Sequence, residues 1–289
     1  MRLMLEVVPP SRRASPSKTK ESAMQIAELA RTIGGVECID IPEIVEENYQ
    51  GVPLYKHLDT REFCLMLKES CAAACMPNKI TVYLKSKADL EAWLRESVSR
   101  YGIKNVVFVG GINSNRRYYG PSVMEANEVA VGVKGLSVGN ICLPSRPGEL
   151  ERLLAKTAAG ASFFTTQAIL NAEQTVRLVR EYYDECRKRG IGPSTIFLSF
   201  PVATSAYDID FLRWLGAEMN ERDAARLAKS ADVERASREQ CSKAFSEIVD
   251  SLHKDGVKVP IGVNIEALSA TNLGATCGMA DALRSVSKI

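Results

Sequence analysis

The sequence predicts a single (β/α)8 TIM barrel, an α/β fold spanning residues 1–289. Three observations carry this expectation. Short apolar, β-branched runs alternate eight times with amphipathic helical runs. Some of the short runs, such as Val106-Val107-Phe108-Val109, are apolar without a break, as strands covered on both faces are. The first strand-to-helix turn reads Pro9-Pro10-Ser11 and has no GxGxxG, which argues against a doubly wound dinucleotide-binding sheet. Alternation of this kind means parallel strands with helical crossovers, since a tight hairpin cannot join a parallel pair.

The first strand is Leu3, Met4, Leu5, Val7 and Val8, interrupted by Glu6 and stopped by Pro9 and Pro10. A carboxylate there is costly unless it is paired, hydrogen-bonded or used, so Glu6 is either solvated on an edge strand or a working acid. A polar loop over 11–18, with Arg12, Arg13 and Lys18, leads to a helix over 19–33 that Gly34-Gly35 ends. The second strand, 36–41, is closed by Pro42. The loop over 43–59 carries Glu43, Glu46, Glu47, Asn48, Tyr49 and Tyr55, and loops of that length are usually functional or mobile. A helix over 60–75 ends at Pro77-Asn78, a strand follows over 79–84, and a helix over 88–101 is capped by Gly102.

The fourth strand, 105–109, runs into Gly110-Gly111-Ile112-Asn113. A helix over 122–131, a strand over 136–143, a loop over 144–148 and a helix over 149–159 come next. The sixth strand, 162–170, carries Thr165, Thr166 and Gln167, and a strongly amphipathic helix over 173–189 is capped by Gly190. The seventh strand is 194–200, ended by Pro201. Residues 208–254 are helical with breaks near Asn220 and Ser230, the eighth strand is 259–265, and the last helix is 271–286.

A net charge of +2 and a pI near 8.1 are too balanced for a nucleic-acid or anionic-membrane partner. No run of about 18 apolar residues exists, so no membrane span is expected. The N-terminal apolar stretch is too short for a signal peptide, and the expected location is the cytoplasm. The eight cysteines form no CxxC. Cys64, Cys71 and Cys75 fall on one helical stripe and read as small buried hydrophobes rather than metal ligands. His57 and His253 are the only histidines, which leaves no material for a His-based zinc site or a Ser-His-Asp triad. No metal is expected.

In a barrel enzyme the chemistry sits where the strands end. Those ends are Glu6, Asp40, Tyr83 or Lys85, Gly110 to Asn113, Asn140 to Cys142, Thr166-Gln167, Ser199 and Glu266. Carboxylates mixed with amides and hydroxyls suit a planar, hydrogen-bonding ligand and one general acid. Gln167 has two donors and two acceptors to satisfy, which is natural at a ligand rim. Asp40 is either a turn cap or functional, and Gly110-Gly111 either a tight turn or a close approach of backbone to ligand. Glu266 reads as a cap or an ion-pair member. Arg146, Lys156, Arg116 and Arg117 suit phosphate groups, or else form a solvated basic surface.

LEVVPP at the start, GASFFTTQAILNAE in the middle and FLSFPVATSAYDIDFLRWLGAEM later resemble the methylenetetrahydrofolate reductases, in order and spacing, along essentially the whole chain. The resemblance implies the same barrel fold and a reductase of one-carbon metabolism. Such an enzyme passes electrons from NAD(P)H through FAD to a 5,10-methylene-tetrahydropterin and produces the 5-methyl form. It makes Glu6 the general acid and Gln167 a contact to the pterin of a reduced folate, with Asn113 beside it. An apolar setting would raise the Glu6 pKa as an acid working near neutral pH requires.

The matching cofactor positions are Asp40, Tyr83, Gly110, Gly111, Arg146, Glu149 and Lys156. This chain departs from the family there. The aspartate that follows the fourth strand in the family is absent, and Asn113 cannot replace its charge. The segment after the fifth strand is shorter and lacks the family's Tyr and His. Asp40-Ile41-Pro42 stands where the family has Thr-Tyr-Gly, and Tyr83-Leu84-Lys85 where it has His-Leu-Thr. The alternative is a flavin-free pterin-binding barrel serving as a partner subunit or a methyl-transfer protein. Association as a homo-oligomer or in a hetero-complex is left open.

Overall fold

The computed structural model describes residues 1–48, 50–111 and 116–286. Ten strands are formed among them: β1 (Arg2–Val7), β2 (Val36–Ile41), β3 (Val45–Glu47), β4 (Pro53–Tyr55), β5 (Ala74–Ile80), β6 (Asn105–Val109), β7 (Ser137–Cys142), β8 (Phe163–Thr166), β9 (Thr195–Val202) and β10 (Ile261–Ala267). Eight of them close into a barrel in the order β1-β10-β9-β8-β7-β6-β5-β2, every neighbour parallel. The helices are α1 (Pro16–Ile33), α2 (Thr60–Lys68), α3 (Lys87–Ser99), α4 (Val123–Val131), α5 (Glu149–Ala158), α6 (Glu173–Arg189), α7 (Ala206–Trp214), α8 (Glu221–Ala228), α9 (Val233–Lys254) and α10 (Thr276–Val286). This is the (β/α)8 TIM barrel that the alternation predicts. No helix among the described residues is long and apolar enough to cross a membrane.

Local chemistry sets the helix starts. The Ser15 side chain accepts from the Lys18 amide and Pro16 takes the first turn, so α1 begins three residues earlier than the apolar pattern suggests. Ser122 and Ser205 open α4 and α7 with reciprocal capping boxes. The α7 cap also ties the rim together: Asp208 accepts from Thr204, Ser205 and, across the barrel top, Asn272 Nδ2.

Several expected boundaries are corrected. The helix expected over 60–75 stops at Lys68, and residues 74–80 form β5. Cys64, Cys71 and Cys75 therefore share no helix: Cys75 lies on the strand, 2% exposed, and Cys64 is buried on α2. Their helical spacing is coincidental, because β5 alternates between the two faces of the barrel wall. Pro77 does not end a helix but lies within β5, opposite Ile41. Thr81–Tyr83, expected as strand, is a 3-10 turn. Pro201 likewise lies inside β9, opposite Glu266. The loop expected over 43–59 contains an antiparallel hairpin of β3 and β4. The last helix starts at Thr276 after a 3-10 turn over Ala270–Ala275.

Odd and even strand positions separate two cores, as a two-residue period requires. Leu3, Leu5, Val7, Ile39, Ile41, Leu198 and Ile265 face the helices in the large outer core. Met4, Cys38, Met76, Val107, Phe163 and Phe197 fill the lower barrel interior. Gly139 and Gly262 make room for that layer. A Cβ at Gly139 would stand 2.1 Å from the Phe163 ring, and one at Gly262 2.4 Å from Phe197. The two rings meet edge to face, their centroids 6.1 Å apart.

Two residues further along, the inward side chains turn polar on six of the eight strands, while Val109 on β6 and Ile141 on β7 stay apolar. Met4 is followed by Glu6, Cys38 by Asp40, Met76 by Asn78, Phe163 by Thr165, Phe197 by Ser199, and Gly262 by Asn264 and then Glu266. A closed apolar plug therefore supports a polar layer at the C-terminal ends of the strands, where barrel sites form.

Candidate active site

The polar layer is the floor of a cavity of about 1080 Å³ at that end of the barrel. Small-molecule sites occupy roughly 300–1,000 Å³. Glu6, Asn78, Thr165, Gln167 and Glu266 line it together with Lys156.

Strand register assembles three carboxylates at one level. Glu6 on β1 is paired with Glu266 on β10 and with Asp40 on β2. Asp40 is fully buried, and among the described residues no ion pair includes Glu6, Asp40 or Glu266. The nearest polar support is neutral: Asn264 Nδ2 donates to Glu6 Oε2 at 3.1 Å and to Ser199 Oγ at 3.1 Å.

Desolvation is the dominant cause of the electrostatics that follow. It pushes Glu6 up from 4.5 to about 7, against the lowering influence of the Asn264 bond and of neighbouring Asp40. Asp40 is raised well above its ordinary value by burial and then by the charges of Glu6 and Glu266. Glu266 is raised by burial and by Glu6. Like charges this close, without a cation, hold protons rather than ionise together.

The buried side-chain oxygens left without a hydrogen-bond donor or acceptor cluster at this level. They include both Asp40 oxygens, Asn78 Oδ1, Asn264 Oδ1 and Thr165 Oγ1. Buried polar groups are normally satisfied, and an unsatisfied one costs about 1–3 kcal/mol. Of these residues Asn78 and Thr165 line the cavity, while Asp40 and Asn264 lie behind its surface, so the wall offers a ligand one amide acceptor and one hydroxyl.

The other sequence-selected residues are placed as follows. Gln167 lines the cavity just past β8, its backbone N–H bonded to Cys142 O and its Nε2 donating to Leu215 O at 2.7 Å. Gly110 and Gly111 line the mouth, but a Cβ at Gly111 would stand 2.2 Å from the Tyr118 ring. The glycine there answers to packing within the chain. Tyr83 is not among the cavity-lining residues; its hydroxyl donates to Glu47 at 2.5 Å, as Tyr118 does at 2.6 Å and Arg116 at 2.7 Å. These donors hold Glu47 below the usual carboxylate range, the tyrosine hydroxyls contributing most. Asn113 lies outside the described residues.

Glu149 is 2% exposed and accepts from the Leu143 amide at 3.1 Å and Arg146 Nε at 2.6 Å. Lys156 Nζ lies 3.8 Å from it and donates to Ile141 O at 2.7 Å. Glu266, read from sequence as a cap or ion-pair member, makes no ion pair among the described residues and faces the cavity beside Glu6. The sequence presents Asn78 only as a helix end and Thr165 only as a member of the sixth strand, and gives Asn264 no role. Their signal was a polar residue two positions after an inward apolar one, and it is readable only once the strand's facing is known.

Two solved structures share this fold. One is an uncharacterized protein from Clostridium thermocellum that binds two copies of 5-methyl-5,6,7,8-tetrahydrofolic acid. It is 19% identical, with a TM-score of 0.81 over 99% of this chain and 95% of that one. The other is the EDTA monooxygenase EmoA from Chelativorans sp. BNC1, 12% identical, with a TM-score of 0.53 over 99% of this chain and 94% of that one. At these identities the likeness is one of fold. No protein-family model and no curated protein matches the chain.

Several of the residues that the resemblance assigns to FAD have partners within the chain. Arg146 and Lys156 are engaged with buried Glu149. Arg152 donates to Pro147 O at 2.8 Å.

Proposed function

We propose that the barrel mouth binds a reduced folate and that Glu6 is the acid working on it. The observation that carries this reading is the pair of unsatisfied oxygens in the cavity wall, Asn78 Oδ1 and Thr165 Oγ1, beside the Glu6 carboxyl. A tetrahydropterin carries several N–H donors along one planar edge and suits such a wall. The same-fold protein from Clostridium thermocellum, which binds 5-methyltetrahydrofolate, supports the choice of ligand.

The chemistry follows the resemblance to methylenetetrahydrofolate reductases. Glu6, kept protonated near neutral pH by burial, delivers its proton to a nitrogen of the methylene bridge. The bridge opens to an iminium ion, and a hydride then gives the 5-methyl form. Gln167 lines the cavity wall, and in this reading its side chain orients the pterin. NAD(P)H is the class of hydride donor. Because several of the flavin positions are engaged elsewhere, the reading prefers folate chemistry without bound FAD, as a reductase or as a methyl-carrying partner.

Two measurements test this. Calorimetric titration with 5-methyltetrahydrofolate is expected to give saturable binding near one equivalent or more, and no heat of binding would overturn the folate reading. An absorbance spectrum before and after adding FAD is expected to stay free of flavin bands. Stoichiometric flavin binding would restore the FAD-dependent route.

A further inference from the structure

Glu6 has two oxygens and one clear protein donor. Oε2 accepts from Asn264 Nδ2, which leaves Oε1. On the neighbouring strand, at the same register, Asp40 has no exposed surface and neither oxygen has a conventional donor. Asp40 is thus shut behind Glu6, away from the cavity that Glu6 lines. Burial and then Glu6 push the Asp40 pKa up and prevail over the Ile41 backbone and Asn78, which pull it down, and a proton held between Asp40 and Glu6 satisfies both carboxyls. Glu266 stands at the same level on the opposite flank.

We propose that Asp40 is a positioning residue for Glu6, sharing one proton with it across the β1–β2 ladder, and that Glu266 completes a proton-holding row of three acids. In this arrangement Asp40 fixes the Glu6 carboxyl in one orientation and holds the last proton of the pair, while Glu6 alone of that pair reaches the cavity. The unsatisfied Asn78 and Thr165 oxygens in the cavity wall mark the side on which a ligand meets the row. Asp40 thereby gains a function that neither a turn cap nor a cofactor contact would supply.

The groups facing the row are few. Asn264 and Ser199 on β10 and β9 are neutral, as is Asn78 on β5. The Cys38 thiol lies below Asp40 and the Cys241 thiol behind Glu266, both pushed up by burial and by those carboxyls. The charged pairs at the rim, Glu43 with Lys79 and Glu149 with Arg146 and Lys156, are internally neutralised. None supplies the row with a cation.

The inference rests on the folate reading only for the identity of the ligand, and its test needs none. The full chain is titrated from pH 4 to 9 and the infrared band of protonated carboxyls is followed. The wild type is expected to retain a protonated-carboxyl band at pH 7. Asp40→Asn removes the acid that holds the last proton of the pair and leaves Glu6 to titrate beside a neutral amide. The band at pH 7 is expected to fall by at least half, and the titration midpoint to move down by one pH unit or more. Glu266→Gln serves as a second variant should Asp40→Asn not fold, with a smaller shift in the same direction.

A folded Asp40→Asn protein whose band and midpoint match the wild type overturns the proposal, as does a wild type with no protonated carboxyl at pH 7. Failure of folate binding with the titration intact overturns the ligand reading and leaves the row supported.

Discussion

Glu6 and Asp40 sit side by side in the parallel β1–β2 ladder, one facing the cavity and the other sealed behind it. Two carboxyls so placed, with no cation beside either among the described residues, explain why the mouth of this barrel is acidic yet holds protons near neutral pH.

Replacing Glu6 by Gln keeps shape and hydrogen-bonding capacity but removes the transferable proton. Reduction of a methylene-tetrahydropterin is expected to slow roughly 10²-fold or more, the scale of a general acid's contribution. Binding of 5-methyltetrahydrofolate is expected to change far less. Steady-state rates paired with calorimetry make the comparison, and an undiminished rate in a folded variant would remove Glu6 from the mechanism.

Stability is expected to depend on pH through the same residue. Glu6 is raised from 4.5 unfolded to about 7 folded, so between those values the folded protein binds more protons than the unfolded chain. Its stabilising contribution is complete below pH 4.5 and is lost as pH rises through 7. The full swing is at most about 3 kcal/mol. Glu6→Gln should therefore gain on the wild type in Tm as pH is raised from 5 to 8. A gap that does not vary with pH would contradict the assignment.

The Glu149 carboxylate anchors one wall of the cavity through Leu143, Arg146 and Lys156. Burial already lowers the Lys156 pKa, with the Glu149 charge working against that. Glu149→Ala strands a buried ammonium and an unpaired amide, and a loss of about 3 kcal/mol is expected from urea denaturation. A loss under about 0.5 kcal/mol, the usual range for an inconsequential surface change, would mean that the pair does not support the wall.

The barrel plug offers a test of packing alone. Gly262→Ala drives a methyl to within 2.4 Å of the Phe197 ring, and no backbone strain is involved because Gly262 does not have a positive φ. Overpacking of this kind costs about 1–3 kcal/mol. Pairing it with Phe197→Leu should recover part of the loss in a double-mutant cycle, whereas strict additivity would mean that the two positions do not meet.

The barrel was legible because its signal is repeated eight times and is local. Strand runs, helix caps and glycine stops each report on a few neighbouring residues. The misreadings share one physical cause. Cys64, Cys71 and Cys75 keep helical spacing across a real helix end, and Pro77 and Pro201 look like terminators although each lies within a barrel strand. Local pattern does not reveal where a chain leaves one layer for another.

The candidate site was legible in part for the same reason. Glu6 stood out as a carboxylate in an apolar run and Gln167 as an amide beside one. Glu266 looked like a cap or an ion-pair member, Asn78 like a helix end, and Asn264 and Thr165 had no role assigned. The sequence by itself determined the alternating elements, the closed parallel sheet they imply, and the acid on the first strand. Only the tertiary structure decided which acids stand together. Strands distant in sequence close next to one another, and their register sets Asp40, Glu6 and Glu266 at one height. Burial without a cation then turns three ordinary carboxylates into a row that holds protons.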